Sequence, residues 1–148
     1  GIKVCGLAEN PETLKKTMPL NVTRKGIRTA FINFTYGTNL GADRHWPKVN
    51  YMNERTRLKE ALAKAGKADF TLVLPHWGNE YERQPNKEQK VMANFMRRSG
   101  VDIILGSHPH VVQPFEVGDR GVTLYSLGNV VSNRKALISE VRISFMQT

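Results

Sequence analysis

The chain has 148 residues, 40% apolar and 24% charged, with a formal net charge of +9. That is enough sequence for one domain with a hydrophobic core, and the balance is that of a globular protein rather than a disordered one. The apolar runs at residues 70–74 and 103–105 are far shorter than the roughly 20 residues that cross a bilayer, and a lone Cys5 excludes a disulfide framework or a cysteine metal site.

Gly1 stands where a methionine would begin a gene product, and no basic-then-apolar leader follows it. The start of the gene product is therefore expected upstream, with any targeting or membrane-anchoring segment. Cys5 reads as a small apolar strand residue. The positive charge favours polyanionic partners at long range, yet it is scattered: Arg24, Lys25 and Arg28 flank a turn, Arg55, Arg57, Lys59, Lys64 and Lys67 decorate one helix, and Arg97 and Arg98 close another. These are ordinary places for solvated cations. Aromatic residues are not interleaved with them as base-stacking platforms require, which disfavours nucleic acid as a partner.

In chain order, residues 2–7 read as a short strand, and residues 11–16 as a brief helix with Asn10 as cap and Pro11 at its first position. Residues 20–24 and 27–34 read as strands joined tightly at Lys25–Gly26. Residues 38–49 contain Gly41, Asp43 and Pro47 without periodicity, the pattern of a loop. Over residues 53–65, Leu58, Ala61, Leu62 and Ala65 recur at helical spacing, and Gly66 marks the stop. Residues 70–74 form a near-continuous apolar run, expected of a strand covered on both faces by helices. Asn86 and Gln89 form a capping-box variant, followed by Val91, Phe95 and Met96 as a buried stripe and Gly100 as terminator. Residues 101–105 repeat the buried-strand pattern, so the whole predicts an α/β fold with a right-handed parallel βαβ unit. The tail predicts antiparallel strands at residues 112–117 and 122–126 and an alternating strand at 138–145.

Both buried strands run into histidine. The first leads into Pro75-His76-Trp77-Gly78, the second into Gly106-Ser107-His108-Pro109-His110. Open α/β sheets bind ligands outside the carboxyl ends of their strands, and a helical crossover returns the chain to the same edge, so His76 is expected to meet His108 and His110. Pro109 should hold His108 extended and turn both imidazoles to one side of the chain, with Cα atoms roughly 6–7 Å apart. Such a pair suits a two-metal centre, whose ions lie about 3.5–4 Å apart. A single histidine at a strand end is ordinarily a hydrogen-bonded loop residue, and His45, beside Trp46, takes that reading. Three converging histidines favour a metal. Trp77 reads as core or pocket wall, Glu80 as either an outer hydrogen-bond acceptor for a ligand or a solvated loop acid, and Asn129 as either a turn cap or a pocket residue.

The stretches DFTLVLPHWGNEY (residues 69–81), VDIILGSHPHVVQPFEV (101–117) and TLYSLGN (123–129) resemble the later half of bacterial capsule-synthesis proteins of the CapA, or poly-γ-glutamate synthesis, type. These belong to the calcineurin-like metallophosphoesterase superfamily. The resemblance, with a weaker match over residues 26–62, implies that residues 1–148 are the C-terminal part of a single layered metallophosphoesterase-like domain whose N-terminal half is missing. It implies His76 and His108 as ligands of one ion and His110 of the other, the ions being divalent Mn, Fe or Zn. Such ions polarise an ester, amide or phosphoryl oxygen and activate a water. The substrate would be an anionic polymer or phosphoester, the place the cell envelope or extracellular side of a bacterial membrane, and the fragment alone would be inactive. The aspartate and Asn-His motifs of the superfamily are absent, and neither Asp43 nor Asp119 stands in their context. A non-catalytic polyanion-binding or assembly component is the alternative reading.

Overall fold

The computed structural model describes residues 2–39, 45–119 and 121–129. The strand expected at residues 2–7 shrinks to β1 (Leu7–Ala8), which pairs antiparallel with β4 (Lys48–Val49) out of the expected loop. Ile2 and Val4 are exposed, with no neighbouring strand among the described residues to bury them. Cys5 precedes the strand, half-buried, and burial pushes its thiol pKa up. Helix α1 (Pro11–Thr17) starts as expected, with the Asn10 side chain accepting from the Thr13 N–H. Strands β2 (Leu20–Arg24) and β3 (Ile27–Thr35) form a hairpin whose turn residues, Lys25 and Gly26, both adopt positive φ, the backbone twist that two-residue hairpins favour.

Helix α2 (Arg55–Ala65) buries Leu58, Ala61, Leu62 and Ala65, and Gly66 ends it in a right-handed conformation, its N–H still on the Leu62 carbonyl. Next come β5 (Phe70–His76), α3 (Lys87–Arg98), β6 (Ile103–Leu105), β7 (Phe115–Gly118) and β8 (Gly121–Leu124). Both halves of the Asn86–Gln89 capping box are present on α3. Its buried stripe is Met92, Ala93 and Met96, with Gln89. Of the expected stripe Met96 is buried, whereas Val91 is 52% exposed and Phe95 only partly buried.

Six strands form one mostly parallel sheet in the order β2-β3-β5-β6-β8-β7. Strands β3, β5, β6 and β8 run parallel, and β2 and β7 are antiparallel at the edges. The expected βαβ unit is therefore β5-α3-β6, and the antiparallel tail is β7-β8. The strand expected at residues 138–145 lies outside the described residues.

Burial alternates along β3 and β5. Ala30, Ile32, Phe34, Val73 and Ile104 meet the apolar sides of α2 and α3 in one core. Phe31, Leu72, Leu74 and Leu105 point the other way and are only half-buried. The expectation of a strand covered on both faces is corrected here: successive residues face opposite sides, and α2 and α3 pack on one. Among the described residues no helix is long and apolar enough to cross a membrane.

Loss of a helix cap of this kind costs about 1 kcal/mol. Asn86→Ala should lower the unfolding free energy by that amount, seen as a lower urea midpoint in circular dichroism, and an unchanged midpoint would contradict the stabilising role of the capping box.

Candidate metal centre

The parallel register carries the site. Thr35 lies opposite His76, and a further bridge joins His76 to Ser107 beyond the end of β6. The ladder continues in the Ser107 N–H to the Pro75 carbonyl at 3.0 Å and the Trp77 N–H to the Ser107 carbonyl at 3.1 Å. The loops after β5 and β6 thus leave the sheet side by side, as the crossover argument predicts.

The imidazoles of His76 and His108 stand 4.6 Å apart between ring centroids, and those of His108 and His110 6.0 Å. The structure therefore brings the three histidines together. The local route differs from the expected one. His108 is not extended but has φ 103°, and His110 has φ 59°. Two non-glycine residues with positive φ in one turn are costly, and such strain persists where the surroundings over-determine it. Here Gly106 is the pivot. Its N–H bonds the Leu124 carbonyl at 2.7 Å, and a Cβ there would stand 2.1 Å from the Tyr125 carbonyl oxygen and 2.5 Å from Trp77 Nε1.

Trp77 is core and wall together: 2% exposed, it donates from Nε1 to the Tyr125 carbonyl at 2.8 Å and stacks on the Tyr125 ring. Asn129 faces the pocket, its Oδ1 2.8 Å from His110 Nδ1. His76 Nδ1 lies 3.3 Å from Ser107 Oγ. Both contacts engage Nδ1 and leave Nε2 available, the outer-partner arrangement common for metal-binding imidazoles. Glu80 stands with Oε1 4.0 Å from His110 Nε2. His45 is exposed and outside the cluster.

Sequence reasoning missed Tyr36, whose ring is 4.6 Å from that of His108 and 6.0 Å, nearly parallel, from that of His76. It follows the carboxyl end of β3, and the strand-end rule would have found it had β3 been recognised as the parallel neighbour of β5. Also missed was the buried amide pair beneath the site. Gln89 Nε2 donates to Gln113 Oε1 at 2.9 Å, and Gln113 Nε2 donates to the carbonyls of Glu82 and Gln84. This pins the segment just beyond Glu80.

Burial, then the charges of His108 and His110, holds the His76 pKa below the ordinary histidine value. Burial also lowers that of His108, against the opposing pull of Glu80. Both therefore favour the neutral form, the one that offers a lone pair to a metal.

A family profile described as "Bacterial capsule synthesis protein PGA_cap" matches residues 1–134. The chain belongs to this family. It is also 39% identical over 132 residues to "Capsule biosynthesis protein CapA" of Bacillus anthracis, which covers 85% of this chain and 32% of that protein. Against "PGA biosynthesis protein CapA" of Bacillus subtilis (strain 168) it is 37% identical over 108 residues, 72% of this chain and 28% of that protein. The chain thus spans about a third of the length of these curated relatives. The PGA_cap match runs through all three histidines, Glu80 and Asn129.

Two outcomes test the pivot and the protonation states of this PGA_cap site. Gly106→Ala should destabilise the fold by at least about 2 kcal/mol, since a methyl driven into backbone overpacks the core, and a wild-type melting temperature would refute the close approach. Because the folded pKa values of His76 and His108 lie below the unfolded value of 6.5, the unfolded state takes up protons first. The metal-free protein should be fully stabilised by these groups above pH 6.5 and lose that contribution as pH falls from there through the folded pKa values. A His76→Asn, His108→Asn double variant should flatten that part of the stability profile, read from urea midpoints at pH 7.5 and 5.5.

Proposed function

We propose that this chain supplies the histidine side of a divalent-metal site for a hydrolase or transferase reaction in capsular polymer synthesis. The observation that carries the reading is the convergence of His76, His108 and His110 at the carboxyl edge of β5 and β6. Membership of a bacterial capsule synthesis family supports the biological setting, and with it a place at the cell envelope. The donor set fits a metal: neutral imidazoles with Nδ1 engaged are good ligands for Zn, and nearby carboxylates suit Mn or Fe. His76, His108 and His110 would hold the ions, which when bound supply Lewis-acid polarisation and activate water.

The half-buried face bearing Phe31, Leu72 and Leu74 is where the N-terminal half of the domain would pack. Tyr36 and Trp77 begin a cleft that runs past Gly78 and Asn79 to Arg55. A second cleft, sharing Arg55, continues to Lys59 and Arg98. Arg57 and Arg97 are paired with Glu54 and Glu116, but no ion pair involves Arg55, Lys59 or Arg98 among the described residues. These helix cations line two adjoining clefts, the first of which reaches Tyr36, whose ring packs against His76 and His108, and they suit an anionic polymer such as poly-γ-glutamate.

These clefts also support a second reading, a non-catalytic component that holds the polymer. Activity and binding separate the two. In the full-length protein, His108→Ala should abolish metal-dependent turnover, as should chelator, and unchanged turnover in the variant would refute the metal-dependent reading. Polyglutamate affinity that falls steeply with salt and ignores chelator, with no turnover by the wild type, would instead establish the binding role.

A further inference from the structure

The cleft between α2 and α3 is built against the local rules of helix stability. Its lining carries Arg55, Lys59 and Arg98 and no carboxylate. Arg55 is the first residue of α2, where the helix dipole disfavours a cation, and Lys59 follows at i, i+4, where a like charge is unfavourable. No side chain caps this end of α2, and its first turn holds no acid. Between the cations the floor is apolar: Met92 is buried, but Val91 is 52% exposed and Phe95 only partly buried. Such departures gain nothing within the chain and are expected where a ligand supplies the missing partner.

We propose that this groove is an exosite that grips several consecutive acidic units of a polymer away from the histidine row, so that the protein reads chain length. The inference rests on the polymer reading above and deepens it, placing the grip where no bond of the polymer reacts. Helices α2 and α3 each return the chain between parallel strands, so both start at the histidine edge and run away from it side by side. At 1.5 Å of rise per residue, Lys59 lies about 6 Å beyond Arg55 along α2, and Arg98 about 10 Å beyond Val91 along α3. The groove therefore takes a chain lengthwise. Arg55 lines both clefts, and the first ends at Tyr36, beside His76 and His108. A polymer with one unit at the histidines thus presents its following units to Arg55, then to Lys59 and Arg98.

The chemistry of the groove selects the occupant. Carboxylates joined by methylene spacers match both of its parts, with charges on the three cations and spacers on Val91 and Phe95. A flat anionic lipid surface would reach the exposed Lys59 and Arg98 but not the recessed floor at Met92. The grip also falls on the second cleft rather than the first. Glu88 lines the first and repels an anion there, whereas the second, with a volume of about 410 Å³, holds cations alone as its charged groups. Long chains that fill both clefts are therefore held more tightly than short ones that reach only the first.

Fluorescence anisotropy of end-labelled γ-linked glutamate oligomers of increasing length, on the metal-free full-length protein, tests the assignment. Wild-type affinity should rise with length and then level off once the groove is filled. A Lys59→Glu, Arg98→Glu double variant should bind long oligomers at least about tenfold more weakly and lose the gain with length. The milder Lys59→Gln, Arg98→Gln pair should lose part of it, and both should melt like the wild type because these side chains are exposed. The charge-matched control Lys3→Glu, Arg24→Glu, at exposed positions outside both clefts, should keep the gain. Equal weakening by the control would overturn the proposal, since net charge alone would then account for binding. So would absence of polymer binding by the wild type, or binding that appears only when metal is restored. Phosphatidylglycerol vesicles that bind through Lys59 and Arg98 while the oligomers do not would overturn it in favour of a membrane. Turnover is not read in any arm, so failure here leaves the histidine reading intact, and loss of that reading leaves length-dependent binding in place.

Discussion

Everything at the site depends on parallel pairing in one register. Strand β5 has Thr71, Val73 and Pro75 on the helix-covered side and Phe70, Leu72, Leu74 and His76 on the other. A slip of one residue would exchange these sets. His76 would then point into the packing of Leu58, Met92 and Trp77, and the loop after β5 would no longer meet Ser107. The apolar core of β3 and β5 therefore does more than stabilise the sheet, because it fixes on which side the first histidine emerges and at what height relative to the second loop.

Rigidity beneath the edge allows strain at the edge. His108 and His110 hold backbone conformations that cost on the order of 1–3 kcal/mol each, and they are kept there by Gly106 wedged against Tyr125 and by Trp77 hydrogen-bonded to the same residue. The buried Gln89–Gln113 pair does for the Glu80 loop what Trp77 does for the histidine turn. Gln89 belongs at once to the cap of α3, where its Oε1 accepts from the Asn86 N–H, and to the support of the site. One side chain thus couples the start of the crossover helix to the loop that the crossover was needed to position.

Elements whose cause is local were legible in the sequence. The hairpin at Lys25–Gly26, the caps at Asn10 and Asn86 and the periodicity of Leu58 to Ala65 all fell where the residues indicated, and the crossover rule placed His76 beside His108. What depends on tertiary neighbours was not. The run at 70–74 looks buried on both faces because Leu72 and Leu74 are as apolar as Val73, and only the position of the helices distinguishes them. Residues 2–7 have strand composition but, apart from Leu7, no strand to pair with among the described residues. The preference of a residue before proline for extended backbone was overridden at His108, where Gly106 and Tyr125 dictate the turn. Tyr36 was hidden for the same reason, since it joins the histidines only through the register of β3 against β5.

The histidine row and the half-buried face of the sheet are linked by geometry. His76 lies on the same side of β5 as Leu72 and Leu74, whose half-exposure marks a surface that a further layer would stabilise at about 25 cal/mol per Å² of apolar area removed from water. Any polypeptide packed there ends beside the histidines without having to cross α2 or α3. Groups carried by such a layer would approach His76 from that side, while Glu80 Oε1, on the loop after β5, stands 4.0 Å from His110 Nε2. The two ends of the histidine row thus differ in what stands beside them. At the His110 end a carboxylate, Glu80, lies close by, and at the His76 end the half-buried face of the sheet continues past Leu74 and Leu72.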